Sequence, residues 1–399
     1  MNGIEQYSED IYKCSKCALC QSVCPVYKIS KNESIVSRGR FVALKGVLDK
    51  DIPLTKSLAS KMNTCLNCNA CKNFCPSDID AKNIFASVKN EFNRKNLMGH
   101  FLHSQKFVMF LMSLIGIAST IYRFIKMYKL IDLINPMLHK LGILGKRIIL
   151  ANEILKPRIV DYDKTICKHK TLTGKVVFFQ GCFNRFINSS SKNATEFLLS
   201  KMGYEILKMN QTCCNVHSYY GGYFSEFNAS ATSILESIPE DVQYIVCDCA
   251  SCESVLKSYD KLVDSKIKIA DKVINIADLL IKADYQLNLT NDKTFTYHKP
   301  CHSDQAPSEL FSKYFSESYI EMQNPDECCG LSGEFAIRYQ KLSREISLNK
   351  ANSICDTNSE YVVTSCPACV LGLYQGLIEK KCMKQVMNIS EFIALNISK

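Results

Sequence analysis

The chain has no tryptophan, and its 399 residues include only 10 prolines and 16 glycines. Such sparing use of glycine and proline excludes a collagen-like or low-complexity chain, and 47% apolar with 22% charged residues is the balance of a folded protein. No basic run is interleaved with aromatics and no nucleic-acid-binding motif is present, so nucleic acid is not an expected partner. No GxGxxG follows a strand-like run and no GxxxxGK(S/T) occurs, which leaves neither a dinucleotide nor an ATP site. Without a flavin or nicotinamide site the chain is poorly equipped to oxidise an organic substrate by hydride removal. The first ten residues are polar and acidic, with no basic start, apolar stretch or cleavage site. Export is therefore not expected, and the expected location is the cytoplasm.

A spanning segment is missing as well. Phe107 to Tyr122 is an uncharged, apolar stretch of 16 residues, just short of the roughly 18–20 that a membrane helix needs. Beyond it Arg123, Lys126, Lys129 and Asp132 recur every three residues among apolar ones. This is the pattern of a helix with a narrow polar stripe, ended by Asn135-Pro136. The formal charge of +10 is concentrated early: residues 1–100 hold 15 basic against 9 acidic side chains, residues 101–160 hold 9 against 2, and the rest 25 against 28. Two readings of residues 101–160 stand side by side. One is a helical connector packed on its own domains. The other is a basic amphipathic helix docked on the cytoplasmic membrane surface or on a hydrophobic partner.

What the chain does have is cysteine, 22 of them. In a long chain kept reduced, that number points to metal or redox chemistry. Cys14-Ser-Lys-Cys17-Ala-Leu-Cys20-Gln-Ser-Val-Cys24-Pro25 is repeated as Cys65-Leu-Asn-Cys68-Asn-Ala-Cys71-Lys-Asn-Phe-Cys75-Pro76. The spacing C-x2-C-x2-C-x3-C-P is the ligand run of bacterial ferredoxins, in which the fourth Cys of each run ligates the other cluster. Applied here, one 4Fe–4S cluster takes Cys14, Cys17, Cys20 and Cys75, and a second takes Cys65, Cys68, Cys71 and Cys24. The proline after each run is expected to stop any helix and turn the chain away. Structural zinc on paired CxxC motifs is the competing reading, but it gives no reason for two four-Cys runs that both close with x3-C-P. The 40 residues between Cys24 and Cys65 suggest a helical domain rather than the small β-containing ferredoxin. Within them Arg38 and Arg40 read equally well as charge placed near a cluster or as plain surface residues.

A second repeat occupies the C-terminal half. Gly181-Cys182, Cys213-Cys214 and Cys249-Ala-Ser-Cys252 are followed by Pro300-Cys301, Cys328-Cys329-Gly330 and Cys366-Pro-Ala-Cys369. The single Cys precedes its pair by 31 and 27 residues, and the pair precedes its CxxC by 35 and 37. Strand-like runs (Val176–Phe179, Tyr244–Val246, Phe295–Tyr297, Tyr361–Thr364) alternate with helical stretches (Ala194–Met202, Ile274–Ala283, Ala336–Ile354), the signature of α/β layers with a largely parallel sheet. Loops at the C-terminal ends of such strands gather functional groups. Five thiols per repeat are placed to converge there: Cys182, Cys213, Cys214, Cys249 and Cys252, then Cys301, Cys328, Cys329, Cys366 and Cys369. Each set is either a further metal centre, a group of reduced packing thiols or a dithiol pair. Gly330 allows a positive φ after its pair, and Asn215, in the corresponding place, is the non-glycine residue best suited to it. His298 and His302 flank Cys301 and could tune a centre there, as could His217 near Cys214, though each reads as readily as a hydrogen-bonded histidine. Cys167, Cys247, Cys355 and Cys382 are left over and read as buried structural thiols.

Four parts result: a helical ferredoxin-like domain (1–100), a connector (101–171) and two cysteine-rich α/β repeats (172–290 and 291–399). With its two CxxCxxCxxxCP runs, Ser37-Arg38-Gly39-Arg40, Cys75-Pro76-Ser77, Gly181-Cys182, Pro300-Cys301-His302 and Cys328-Cys329-Gly330-Leu-Ser-Gly333, the whole chain resembles a known family. This is the iron–sulfur subunit family of glycolate oxidase, anaerobic glycerol-3-phosphate dehydrogenase and the lactate-utilisation proteins. Its second half also resembles the B subunit of heterodisulfide reductase. The resemblance implies two 4Fe–4S clusters, further iron–sulfur centres in the repeats, an FAD-containing dehydrogenase subunit as partner, and transfer of electrons toward quinone or another carrier. A disulfide reductase acting at the second repeat and a non-catalytic iron–sulfur sensor are the alternatives.

Overall fold

The computed structural model describes residues 3–127, 173–207, 209, 213–290, 293–303 and 305–397. The part of the expected connector helix beyond Met127, with Asn135-Pro136, and Cys167 lie outside the described residues.

Residues 3–127 contain only helical elements among those described. Each cysteine run is a loop that leads into a short helix, Leu19–Val23 and Ala70–Asn73. The two loops turn by the same device. Lys16 and Ala18 in the first, and Asn67 and Asn69 in the second, have positive φ of 58°, 69°, 56° and 62°. Alternating left-handed residues curl the chain so that the intervening cysteines face one side. Asparagine adopts this conformation readily, whereas lysine and alanine are strained by it. The proline that closes the first run behaves differently from the sequence-based expectation. Pro25 does end Leu19–Val23, yet it occupies the first turn of a new helix, Pro25–Ser30, where its missing N–H costs nothing. The domain core is small, built from Phe41 and Leu44 on the helix Ser37–Leu48, Leu58 and Met62 on Lys56–Met62, and Ile84, Phe85 and Val88 on Ala81–Asn93.

The helix Gln105–Met127 follows and rests on the segment Gly181–Phe186, where Gly116 comes against Phe186. Its outer face is apolar and open: Phe110, Leu111, Leu114, Ile115 and Ile117 are exposed, continuous with Leu97, Met98, Phe101 and Leu102 before it. No helix among the described residues is long and apolar enough to cross a membrane.

Two parallel sheets make up the remainder. β1 (Gly174–Phe179), β2 (Tyr204–Leu207), β3 (Tyr244–Cys247) and β4 (Val273–Asn275) are ordered β2-β1-β3-β4. β5 (Phe295–Tyr297), β6 (Tyr361–Thr364) and β7 (Gln385–Asn388) are ordered β5-β6-β7. Val177 lies between Leu207 and Ile245, and Val363 between Tyr297 and Met387. Alternation along β1 sends Val176 and Phe178 into one apolar cluster and Val177 and Phe179 into another. Each cluster also takes residues of the second sheet, Phe295 and Val363 in one, Val362 and Val386 in the other. The two repeats therefore share their cores. Polar ties cross the same boundary: the Ala250 N–H donates to the Ser365 carbonyl at 2.8 Å, and Asn388 donates to the Asp248 carbonyl at 2.8 Å.

Two helical expectations need correction. Ile274 and Asn275 belong to β4, and the helix begins at Ile276. Tyr339 breaks the stretch 336–354 into Gly333–Arg338 and Gln340–Cys355.

Candidate metal centres

Both N-terminal cysteine runs open onto cavities, and the fourth cysteine of each run sits with the other. Cys14, Cys17, Cys20 and Cys75 line one cavity of about 40 Å³, with Arg38 and Phe74 at its side. Cys24, Cys65, Cys68 and Cys71 line a second of about 30 Å³, with Arg40 and Lys82. Cys71 reaches both walls. Four soft sulfur donors around each space suit the ligand chemistry of an iron–sulfur cluster. Burial pushes the Cys71 thiol up to about 12 and raises those of Cys20, Cys24 and Cys68. A metal entering here would have to displace protons.

The two arginines part company. Arg38 is partly exposed and pairs with Glu33 at 3.3 Å. Arg40 is not a surface residue. It is 2% exposed, donates to the Lys61 carbonyl at 3.0 Å and to Thr64 at 2.6 Å, and lies over the Phe85 ring at 5.0 Å. It thus holds a fixed positive charge at the second cavity.

In the C-terminal half the ten expected thiols do gather at strand ends, but as one row rather than two separate groups. Cys182 meets Cys213 at 3.5 Å, and Cys329 meets Cys369 at 3.4 Å. Hydrogen-bonding contacts join Cys213 to Cys214, Cys214 to Cys252, and Cys252 to Cys249. The same contacts run in the second repeat from Cys301 to Cys328, Cys329, Cys369 and Cys366. The halves meet where Cys249 touches Cys366. Followed from end to end, the row is symmetric about that junction.

Its electrostatics repeat too. Cys214 is pushed down to about 5 because Cys213 and Cys252 donate to it, and Cys329 likewise to about 5 by Cys328 and Cys369. The match fails at the junction, where Cys366 is lowered by Cys249 and Cys369 while its counterpart Cys249 is raised by the hydrogen bond to Cys366 and by burial. The other cysteines of the row are raised by their hydrogen bonds to neighbouring cysteines and by burial. A metal bound along the row would therefore meet a few thiolates and displace protons from the rest. The backbone turns after the adjacent pairs are those expected from sequence, with φ of 84° at Gly330 and 56° at Asn215. Of the leftover cysteines, Cys247 is fully buried, while Cys355 and Cys382 are only partly so and contact each other.

The row and the N-terminal domain are docked through the second cysteine loop. Val26 and Leu66 pack with Cys328, Phe335 and Ile346 of the second repeat. Ser332 donates to the Leu66 carbonyl at 3.0 Å, and Lys28 pairs with Glu327 at 2.9 Å. His302 joins three parts at once. Its Nε2 donates to the Asn67 carbonyl at 3.1 Å, and its Nδ1 lies 2.9 Å from the Ser251 hydroxyl, itself 3.7 Å from the Cys366 sulfur. Burial lowers its basicity.

His217 lies apart from the row, stacked on His103 at 5.7 Å, with its Nε2 3.2 Å from the Ser218 hydroxyl. Burial, aided by His103, pushes it down to about 4. In the unfolded chain it titrates near 6.5. The unfolded state therefore takes up a proton first, and stability present above that pH falls as pH drops toward 4, by at most about 3 kcal/mol. Urea unfolding of wild type and His217→Phe at pH 7 and pH 4.5 should show a smaller acid-induced loss in the variant; equal losses would mean that the histidine plays no part in it.

Residues 10–79 match the family model for a 4Fe-4S dicluster domain, and residues 176–257 and 295–374 each match the cysteine-rich domain. The chain belongs to the iron–sulfur family built from these modules. Relatives in this family include the "Probable glycolate oxidase iron-sulfur subunit" of Bacillus subtilis, 23% identical over 92% of this chain and 89% of its own. The glycolate oxidase iron-sulfur subunit of Escherichia coli is 22% identical over 89% of this chain and 88% of its own. Lactate utilization protein A of Bacillus cytotoxicus is 28% identical over 55% of this chain and 98% of its own. Family membership explains why cysteine dominates both halves of the sequence.

Proposed function

We propose that this protein is the iron–sulfur electron-transfer subunit of an oxidoreductase, serving a separate FAD-containing dehydrogenase of a 2-hydroxy acid such as glycolate or lactate, or of glycerol 3-phosphate. The observation that carries this reading is the unbroken succession of sulfur donors. It runs from the second N-terminal loop, packed on Cys301 and Cys328, through both repeats to Cys182. Two 4Fe–4S clusters would be held by Cys14, Cys17, Cys20 and Cys75, and by Cys65, Cys68, Cys71 and Cys24. Further centres would be held by Cys301, Cys328, Cys329, Cys366 and Cys369, and by Cys182, Cys213, Cys214, Cys249 and Cys252. Bound there, such clusters supply one-electron oxidation and reduction.

The polypeptide's own contribution is positional. Arg40 sets positive charge beside the second cavity, and burial excludes water from the row between its half-buried ends, Cys182 and Cys301. The Asn67–His302–Ser251 contacts fix the N-terminal domain against the junction of the repeats. Cys17 is exposed at the first cavity, which makes that end the natural face for the dehydrogenase. The open apolar face from Leu97 to Ile117, followed by a basic segment, is assigned to contact with a membrane surface, where quinone would be met.

Purification without air tests the proposal. Iron and sulfide should exceed the roughly eight irons per chain of two conventional clusters, and a flavoprotein should accompany the chain. A colourless, iron-free product from cells competent in cluster assembly would refute it.

A further inference from the structure

The two repeats are alike in their cysteines but not in what stands beside them. β5 ends at Tyr297, and the next residue, His298, continues the ladder by donating its N–H to the Val363 carbonyl at 2.9 Å. This register turns the imidazole inward, where it is fully buried. Neither ring nitrogen has a hydrogen-bond partner. The Pro325 carbonyl faces the ring but is too poorly aligned to satisfy a ring nitrogen, and its well-formed bond is from the Lys299 N–H at 2.9 Å. A buried imidazole with both nitrogens unsatisfied is costly and calls for a group that takes a lone pair.

The surroundings supply the rest of a site. One ring nitrogen and the sulfurs of Cys329 and Cys369 all lie within 4.8 Å of one another, and all three residues are buried. The first repeat has no counterpart. There the residue that follows β1 is Gln180, whose amide donates to Glu196 at 3.4 Å.

We infer that His298 is a nitrogen ligand to a transition-metal ion in the second repeat, completing with Cys329 and Cys369 a mixed nitrogen–sulfur face that the first repeat lacks. Neutral imidazole and thiolate together suit iron or zinc. The inference deepens the proposed function, on which it rests for the ion being iron of a cluster. A neutral nitrogen donor brings no negative charge, and histidine ligation raises the reduction potential of an iron–sulfur centre. The second repeat would then be the more readily reduced of the two, at the end of the row that meets the N-terminal domain.

The test uses the full chain purified without air, unlabelled and with nitrogen-15 histidine, beside His298→Ala and His298→Gln. Pulsed EPR on dithionite-reduced samples should show a nitrogen coupling that changes with the label in wild type and disappears in both variants, while the signals of the N-terminal clusters persist. The labelled wild type is decisive alone, so a variant that misfolds does not weaken the test. Iron in the second repeat without histidine coupling would overturn the inference but not the proposed function. Zinc there, with a nitrogen and two sulfurs by X-ray absorption, would sustain the ligand assignment and overturn iron in that repeat. A second repeat free of any metal would overturn both.

Discussion

Cys24→Ser should empty the cavity of the second cysteine run, not that of its own. Cys24 lies with Cys65, Cys68 and Cys71, whereas Cys75 lies with Cys14, Cys17 and Cys20. Iron should fall by about four per chain, and the EPR signal retained should be the one that Cys75→Ser abolishes. The consequences should reach beyond the cluster. A metal site bound by a small domain contributes on the order of 10 kcal/mol to its folding, as much as the whole stability of a typical domain. The core behind these loops is one cluster of eleven buried residues around Phe41, Met62 and Phe85, and the second loop is otherwise held by its contacts with the second repeat. With that loop loosened, Leu66 and Asn67 would release Ser332 and His302, which they bind at 3.0 and 3.1 Å. Limited proteolysis should then cut between the N-terminal domain and the second repeat. If Cys24→Ser instead removed the first signal, the crossed arrangement would be wrong.

Much of this was legible because it is local. The two runs stand out by their C-x2-C-x2-C-x3-C-P spacing. The bacterial ferredoxin pattern, in which the fourth Cys serves the other cluster, gives the expectation of Cys24 with the second run and Cys75 with the first. The strand runs of β1, β3, β5 and β6 are dense in Val, Ile, Tyr and Phe and stand out. β2, β4 and β7 carry Glu205, Asn275 and Gln385, which break up the apolar run that would announce them. The meeting of Cys249 with Cys366 could not be read, because it depends on two sheets sharing a core rather than on any interval along the chain. The burial of Arg40 and the two empty-handed nitrogens of His298 are of the same kind. Each depends on what a distant segment places beside it, and an arginine or a histidine looks the same in sequence whether buried or not.

Gly376→Leu should be among the most damaging single substitutions outside the cysteines, although nothing in the sequence marks that glycine. It lies inside the helix Pro367–Glu379, where glycine is intrinsically unfavourable. The compensation is contact. A Cβ at this position would stand 2.3 Å from the Ser347 carbonyl oxygen and 2.9 Å from the Ala351 Cβ, both on the helix Gln340–Cys355. One turn earlier, a Cβ on Gly372 would lie 2.9 Å from the Cys329 carbonyl oxygen and 3.2 Å from its sulfur. Ser347 donates to the Cys329 carbonyl at 3.1 Å and also to Gly372, so the two helices, Cys329 and the CxxC of the second repeat are clamped together. A leucine side chain forced into this seam cannot be accommodated by a rotamer change, because the obstacle is backbone. The helices must separate, at a cost of about 3 kcal/mol. Separation would carry Cys329 away from Cys369, now 3.4 Å distant. Urea unfolding should therefore show a clear drop in midpoint for Gly376→Leu, with iron lost from the second repeat before the N-terminal clusters are affected. An unchanged midpoint would mean that the close approach of these helices contributes little.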